Sequence, residues 1–214
     1  NSYIVNLSEN LILSAIKKFR SFTGWNKKFE VYLNKKIPIG AGLGGGSANA
    51  AATLILLRKL FNKENNNNKV SIYNIIDIAS ELGSDVPACI ISKDLKLKGY
   101  NKEIKRYSFP NNYYFIIINP NIELSTKDVF EKYSNSLNAK LKTNQIFFEN
   151  IRINNSLLLP AISLVPEISN IIHKLKNIPN IVAYGMSGSG PSCFGVVKKI
   201  GDLSNLKKYF NKKY

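Results

Sequence analysis

The chain is short of acid. Fourteen Asp and Glu stand against thirty Lys and Arg in 214 residues, a formal charge of +16. It is also short of the side chains that serve redox and metal chemistry, with one His, two Cys, one Met and one Trp. Cys89 and Cys193 are too few and too far apart for a disulfide framework or a Cys/His metal centre, and they suit a reducing compartment. No run approaches the ~18 consecutive apolar residues of a membrane span. The opening Asn1-Ser2-Tyr3-Ile4-Val5 has neither the basic nor the apolar region of a secretion leader, so a cytoplasmic protein with no membrane partner is expected. The excess of base is scattered among many Asn and Ile instead of forming one stripe. That pattern reads as compositional bias: it would attract anionic small molecules, and nucleic acid is not expected as a partner.

What is present is a 44% apolar fraction, enough for a proper core. Leu11, Ala15, Ile16 and Phe19 fall at helical spacing within Asn10–Phe22, and Phe29–Leu33 alternates as a strand would. Ser47–Phe61 carries Ala and Leu on nearly every face, which predicts a buried helix. Ser71 caps a further helix with Ile72, Ile75, Ile76, Ala79 and Leu82 on one side and Gly83 at its end. Strands are expected at Leu95–Lys98, Ile104–Phe109 and Tyr113–Asn119, then a short helix capped near Ser125 and Thr126 with Asp128 in its first turn. The polar stretch Asn135–Asn144 reads as a linker and the best domain boundary. Beyond it, helices at Leu157–Leu164 and Glu167–Lys176 precede paired strands at Ile181–Tyr184 and Ser192–Lys198, with a last helix near Leu203–Phe210. Helices and strands mix without βαβ alternation, so the fold class is α+β.

One stretch dominates. Five glycines, Gly40, Gly42, Gly44, Gly45 and Gly46, fall within seven residues and run directly into the long apolar helix. Glycine loses more backbone entropy on folding than any other residue, so an ordered cluster needs a reason. Bare N–H groups at a helix start, where the helix adds a favourable partial charge, make an anion cradle. Gly40, Gly42 and Gly45 satisfy the dinucleotide spacing G-x-G-x-x-G, but no strand ending in an acid follows at the right distance. Gly40 and Gly45 also fit the frame of a P-loop, yet Gly46 stands where that motif needs lysine.

Pro38-Ile39-Gly40-Ala41-Gly42-Leu43-Gly44-Gly45-Gly46-Ser47 instead resembles the second motif of the GHMP kinases. Leu82-Gly83-Ser84-Asp85-Val86-Pro87 is similar to the segment that carries that family's catalytic aspartate. Met186-Ser187-Gly188-Ser189-Gly190-Pro191 resembles its third motif, a second glycine loop. The triple glycine followed by Ser47-Ala48-Asn49-Ala50-Ala51 is similar to the branch acting on 4-diphosphocytidyl-2-C-methyl-D-erythritol. Three motifs in order carry the resemblance, and weaker similarity covers most of the chain. It implies a ribosomal-protein-S5-domain-2-like N-terminal part lacking its first strands, over residues 1–134, and a ferredoxin-like C-terminal part over 145–214.

The resemblance also implies chemistry: transfer of the γ-phosphoryl group of ATP, with Mg²⁺, to a hydroxyl of that substrate on the non-mevalonate route to isoprenoid precursors. Pro38, Gly40, Gly42, Leu43, Gly44, Gly45, Gly46 and Ser47, with Gly188, Ser189 and Gly190, would bind the nucleotide, and the Ser47 hydroxyl would reach phosphate or Mg²⁺. Asp85 would be the general base on the attacking hydroxyl and touch the substrate; its residues alone favour an N-cap before Val86-Pro87, and the resemblance reverses that preference. Thr126 would help hold the substrate, or else simply cap a helix. Asn155 takes the place of the family's Asn-Asp-Leu segment, although Ser156 stands where the acid belongs. His173 reads as a surface residue, and Trp25 and Cys193 as packing.

The family's Pro-Ala-Lys-type loop and its His-containing segment do not occur before Asn10, so a chain that starts inside its family's first domain is expected, with the cytidine-recognising residues outside it. A bacterial or plastid origin, and a monomer or weak homodimer, fit this reading. Two others stay open: another GHMP kinase such as homoserine kinase, and a basic, noncatalytic nucleic-acid-binding module, whose binding would collapse steeply with salt.

Overall fold

The computed structural model describes residues 10–98, 103–109, 112–135, 146–148, 151–199, 201 and 209–210. The chain divides into two compact units, one of Asn1–Leu33 with Gly44–Phe109 and the other of Asn34–Leu43 with Pro110–Tyr214. The glycine stretch therefore straddles the division at Leu43 and Gly44.

In the first unit, α1 (Leu11–Thr23) starts at Asn10, whose Oδ1 accepts the Ile12 N–H at 2.9 Å. It ends at Gly24, which adopts a left-handed φ of 69° and donates its N–H to the Arg20 carbonyl. Its buried stripe is Ile12, Ala15, Ile16 and Phe19. Phe19 meets Trp25 and Phe61 edge-on at 6.2 and 5.9 Å, and Trp25 packs on Phe29 at 5.2 Å, which accounts for the tryptophan by packing. The long helix α2 (Gly45–Glu64) buries Ala50, Ala51, Leu54, Leu57 and Phe61 against this cluster. Burial is one-sided, not all round as its composition suggested: Ala52 and Leu56 are exposed.

Helix α3 (Ile72–Leu82) opens on a capping box, with Ser71 Oγ accepting the Asn74 N–H at 3.1 Å and Asn74 Oδ1 accepting the Ser71 N–H at 3.0 Å. Its buried residues are Ile75, Ile78 and Ala79, while Ile72 is exposed. Between α2 and α3 the polar run Asn65–Asn68 is pinned at its exit. Asn62 donates to the Val70 carbonyl and accepts the Val70 N–H at 2.9 and 2.8 Å, and Arg58 Nε donates to the same carbonyl at 3.0 Å. A six-residue helix α4 (Val86–Ile91), with Pro87 in its first turn, packs on α2 and α3. Strands β1 (Leu95–Lys98) and β2 (Glu103–Arg106) form an antiparallel hairpin. The second was expected to run to Phe109, but there the Asp94 backbone and carboxylate take over, accepting the Tyr107 and Phe109 N–H groups at 2.9 and 3.2 Å.

The expected strand Phe29–Leu33 is not formed. The alternation is present in the residues, but a strand exists only through its ladder, and no described residue pairs with this segment; Val31, Tyr32 and Leu33 are exposed.

The second unit is built on a three-stranded antiparallel sheet, β3 (Tyr114–Ile118), β7 (Cys193–Val197) and β6 (Ala183–Met186), in the order β3-β7-β6. Helices α5 (Thr126–Asn135), α6 (Leu158–Leu164) and α7 (Glu167–Asn177) supply Val129, Ala161, Ile168, Ile171 and Leu175, which pack with Ile118, Met186 and Cys193 into one core. Pro166 occupies the cap position of α7, as a residue that cannot donate an N–H should. A short hairpin, β4 (Ile146–Phe148) with β5 (Ile151–Ile153), was not anticipated. Its signal was two apolar runs separated by Glu149-Asn150. The expected linker beyond Asn135 and the last helix up to residue 208 lie outside the described residues. No described helix is long and apolar enough to cross a membrane.

Candidate active site

Helix α2 starts without a side-chain cap. Its N-cap is Gly44 at φ 67°, no side chain accepts a hydrogen bond from its first turn, and that turn holds no acid. The other helices of more than ten residues in this unit, α1 and α3, are capped by Asn10 and by the Ser71–Asn74 box. A helix leaves its first four N–H groups without intrahelical partners, and α2 offers them no side-chain acceptor of its own.

The five glycines do not all serve the chain. Gly40 and Gly42 have φ of 65° and 68° and lie against backbone: an added Cβ would be 2.9 Å from the Leu124 carbonyl oxygen at Gly40 and 2.7 Å from that of Ser187 at Gly42. Gly44 needs its positive φ. At Gly45 a Cβ would meet nothing within 4 Å, and at Gly46 only an ordinary contact with Leu11 at 3.5 Å. Neither has a positive φ, so no demand of the fold explains glycine at either position.

Within the second unit Ala41 and Gly42 are laced to the loop between β6 and β7. Ser192 N–H donates to the Ala41 carbonyl at 3.3 Å and Ser187 Oγ to the Gly42 carbonyl at 2.8 Å. Inside the loop Ser187 N–H donates to the Ser192 carbonyl at 2.8 Å and Gly190 N–H to the Ser187 carbonyl at 2.9 Å. Gly188 and Gly190 have φ of 55° and 81°, and Ser192, fully buried, is fixed by Asn119 Nδ2 donating to its Oγ at 2.8 Å. Thr126 and Ser189 join through their hydroxyls at 2.9 Å. So the two glycine-rich segments read from the sequence meet here through Ala41 and Gly42, which lie against Ser187, Gly188, Gly190 and Ser192, while Gly40 lies against Leu124 and Thr126 joins Ser189. Gly44–Ser47 and Asp85 belong to the first unit, and Pro38 is exposed.

Asp85 sits at the N-cap position of α4 with φ −95° and ψ −14°, yet makes no capping hydrogen bond. Its carboxylate is exposed and accepts from Ser84 Oγ at 3.3 Å. The N-cap position read from Val86-Pro87 is thus borne out, but the side chain does no capping there. For Thr126 it is Ser125, not Thr126, whose hydroxyl accepts the Asp128 N–H, at 3.3 Å. Neither thiol is poised for nucleophilic work. Burial first, and then the nearby Asp85 carboxylate, raise Cys89 above its ordinary value, and burial pushes Cys193 up to about 12. His173 is exposed and bonded to Asn177 on its own helix. No group of three metal-ligating side chains occurs among the described residues.

Family models for the GHMP kinase N-terminal domain and C-terminal domain match residues 10–93 and 137–214. A 4-diphosphocytidyl-2-C-methyl-D-erythritol kinase of Prochlorococcus marinus is 33% identical over 224 residues, which span 95% of this chain and 70% of that protein. The chain belongs to the GHMP kinases. This GHMP kinase also resembles two solved structures at the level of fold. A 4-(cytidine 5'-diphospho)-2C-methyl-D-erythritol kinase has a TM-score of 0.68 at 24% identity, covering 95% of this chain and 74% of the other. A homoserine kinase from Cytophaga hutchinsonii has a TM-score of 0.70 at 19% identity, covering 96% and 71%. Fold therefore does not separate the two kinases; sequence does. Membership makes the enzyme a small-molecule kinase of a family that uses ATP. The relatives being bacterial, nothing supports a plastid origin.

Asn155, placed by sequence only in a weakly matching segment, bonds directly to the second glycine loop. Its Nδ2 donates to the Met186 and Gly188 carbonyls at 3.0 and 2.8 Å. No local pattern could have revealed a contact between residues 33 positions apart.

Proposed function

We propose that this kinase phosphorylates the 2-hydroxyl of 4-diphosphocytidyl-2-C-methyl-D-erythritol at the expense of ATP, in a cytoplasmic route to isoprenoid precursors. The observation that carries the phosphate-binding part is the start of α2: a 20-residue helix without a side-chain cap, preceded by a glycine at positive φ and opened by two glycines the fold does not need. Substrate identity rests on the name of the Prochlorococcus relative together with Gly44-Gly45-Gly46 and the Asp85 segment.

Phosphoryl transfer asks a protein for positioning and for stabilisation of charge on the transferred oxygens. The N–H groups of Gly44, Gly45, Gly46 and Ser47 hold nucleotide phosphates, helped by the helix dipole. Gly188, Ser189 and Gly190 form the second nucleotide loop, and Pro38, Gly40, Gly42 and Leu43 are counted among the nucleotide-binding residues on the family motif they belong to. Asp85, an exposed carboxylate with no capping duty, accepts the proton of the attacking hydroxyl. Thr126 bonds the substrate. The Ser47 hydroxyl would help hold Mg²⁺, which typically takes few protein ligands beside substrate phosphates and would neutralise phosphate charge there. On this reading 1–134 is the nucleotide-binding domain and 145–214 the C-terminal domain of the family, whereas packing groups Asn34–Leu43 with Pro110–Tyr214.

The test is Gly45→Ala. Helix propensity favours alanine there by roughly 0.5–1 kcal/mol, so thermal stability holds or rises. The methyl group obstructs phosphate approach, and kcat/KM for ATP falls by about 10²-fold in an assay of ATP consumption with the cytidine-diphosphate sugar alcohol. An unchanged kcat/KM sinks the cradle at α2. ATP consumption with homoserine instead replaces the substrate assignment.

A further inference from the structure

Asn155 uses its whole side-chain amide. Both donations from Nδ2 end on carbonyls of the second glycine loop, Met186 at 3.0 Å and Gly188 at 2.8 Å, while Oδ1 accepts the Leu157 N–H at 3.0 Å just ahead of α6. An amide is the one group of this length with two donors and an acceptor in a single plane, so no other side chain at this position makes all three bonds. The contacts bracket the loop: one lies on the last residue of β6, the other on Gly188, at φ 55°. Gly188 is exposed, and its Cα is followed by Ser189, whose hydroxyl meets Thr126. Hydrogen bonds from other segments reach the loop through Ser187, Ser189 and Ser192; only Asn155 among the described residues is seen to hold the Gly188 carbonyl.

We propose that Asn155 is a positioning residue that sets the backbone of Gly188 and, through it, the nucleotide affinity of the second glycine loop. This rests on the reading of that loop as nucleotide-binding. With the Gly188 carbonyl held by the amide, the following peptide is fixed in direction, and so is the N–H of Ser189 that the peptide carries. Asn155 touches neither substrate nor nucleotide itself. It removes from the loop the freedom that ATP would otherwise have to quench on binding.

Two variants separate this from a structural role. Asn155→Asp keeps an oxygen to accept the Leu157 N–H, and so keeps the start of α6, but turns a carboxylate toward two carbonyl oxygens. Asn155→Ala loses all three bonds. The expected result is an inverted order. Asn155→Ala lowers the thermal midpoint more, whereas Asn155→Asp raises the KM for ATP more, by about tenfold, with kcat at saturating ATP held within about threefold. Hydrogen exchange of the Ser187 and Gly190 amides, measured without ligand, speeds up in Asn155→Asp. A role confined to the turn before α6 predicts the opposite, a silent Asp variant, and that result overturns the proposal. Loop exchange unchanged in Asn155→Asp also overturns it. If loop exchange accelerates but wild-type protein binds no ATP in a fluorescent-nucleotide titration, the nucleotide reading of the loop fails while the positioning by Asn155 stands.

Discussion

Gly42→Ala is expected to destabilise the second unit by about 3 kcal/mol or more, measured by urea or thermal unfolding. Two effects add. The left-handed φ of 68° costs an L-residue roughly 1–2 kcal/mol. A Cβ would also press on backbone, the Gly190 carbonyl well inside contact distance and the Ser187 carbonyl oxygen at 2.7 Å, and backbone held by the Ser187–Ser192 and Ser187–Gly190 bonds does not step aside cheaply. Gly24 supplies the control, since it has a φ of 69° with nothing within 4 Å of its Cβ position. Gly24→Ala isolates the conformational part. Equal losses in the two variants would mean that residues 40–43 do not approach the β6–β7 loop as described. The loss in Gly42→Ala should extend to ATP turnover, because the same movement disturbs Gly188 and Gly190.

Asp85→Asn is expected to lower kcat by roughly 10²–10⁴ while the KM for ATP and the thermal midpoint stay near wild type. Stability is spared because the carboxylate caps nothing and lies in solvent, where it accepts from the neighbouring Ser84 hydroxyl. Asparagine is isosteric, keeps an oxygen for that hydroxyl and cannot take a proton at neutral pH. A lowered midpoint would mean that the side chain has a structural task after all, and undiminished turnover would remove Asp85 from the reaction. With Gly45→Ala, the pair separates phosphate binding from proton removal: one raises the demand for ATP, the other slows the step once ATP is bound.

These contrasts show which parts of the molecule could be read from residues alone. Local rules sufficed where structure is local. Asn10, Ser71 and Pro166 mark helix starts by their own chemistry, and three of the four residues expected on the inner face of α1, Ala15, Ile16 and Phe19, are buried, with Ile12 in place of the half-buried Leu11. Gly40–Gly46 announced an unusual loop, but the sequence could not divide its labour; only the surroundings separate Gly40 and Gly42, required by neighbouring backbone, from Gly45 and Gly46, which the fold does not explain. Phe29–Leu33 shows the converse limit, a sound alternating pattern with no ladder partner among the described residues. Contacts made by polar side chains over long separations were illegible. Asn119 to Ser192, Thr126 to Ser189 and Asn155 to Gly188 span 73, 63 and 33 positions, and a single Asn or Ser carries no periodicity to betray them.

The clamp of Arg58 and Asn62 on Val70 has a practical consequence. Because three hydrogen bonds fix the chain where it re-enters α3, the Asn65–Asn68 tip passes no strain to either helix whatever its length. Loop closure grows only logarithmically, by about 0.6 kcal/mol for each doubling. That makes residues 66–67 the place to splice an affinity tag or a fluorescent reporter into the interior of the chain, at an expected cost of roughly 1 kcal/mol in stability and none in ATP turnover.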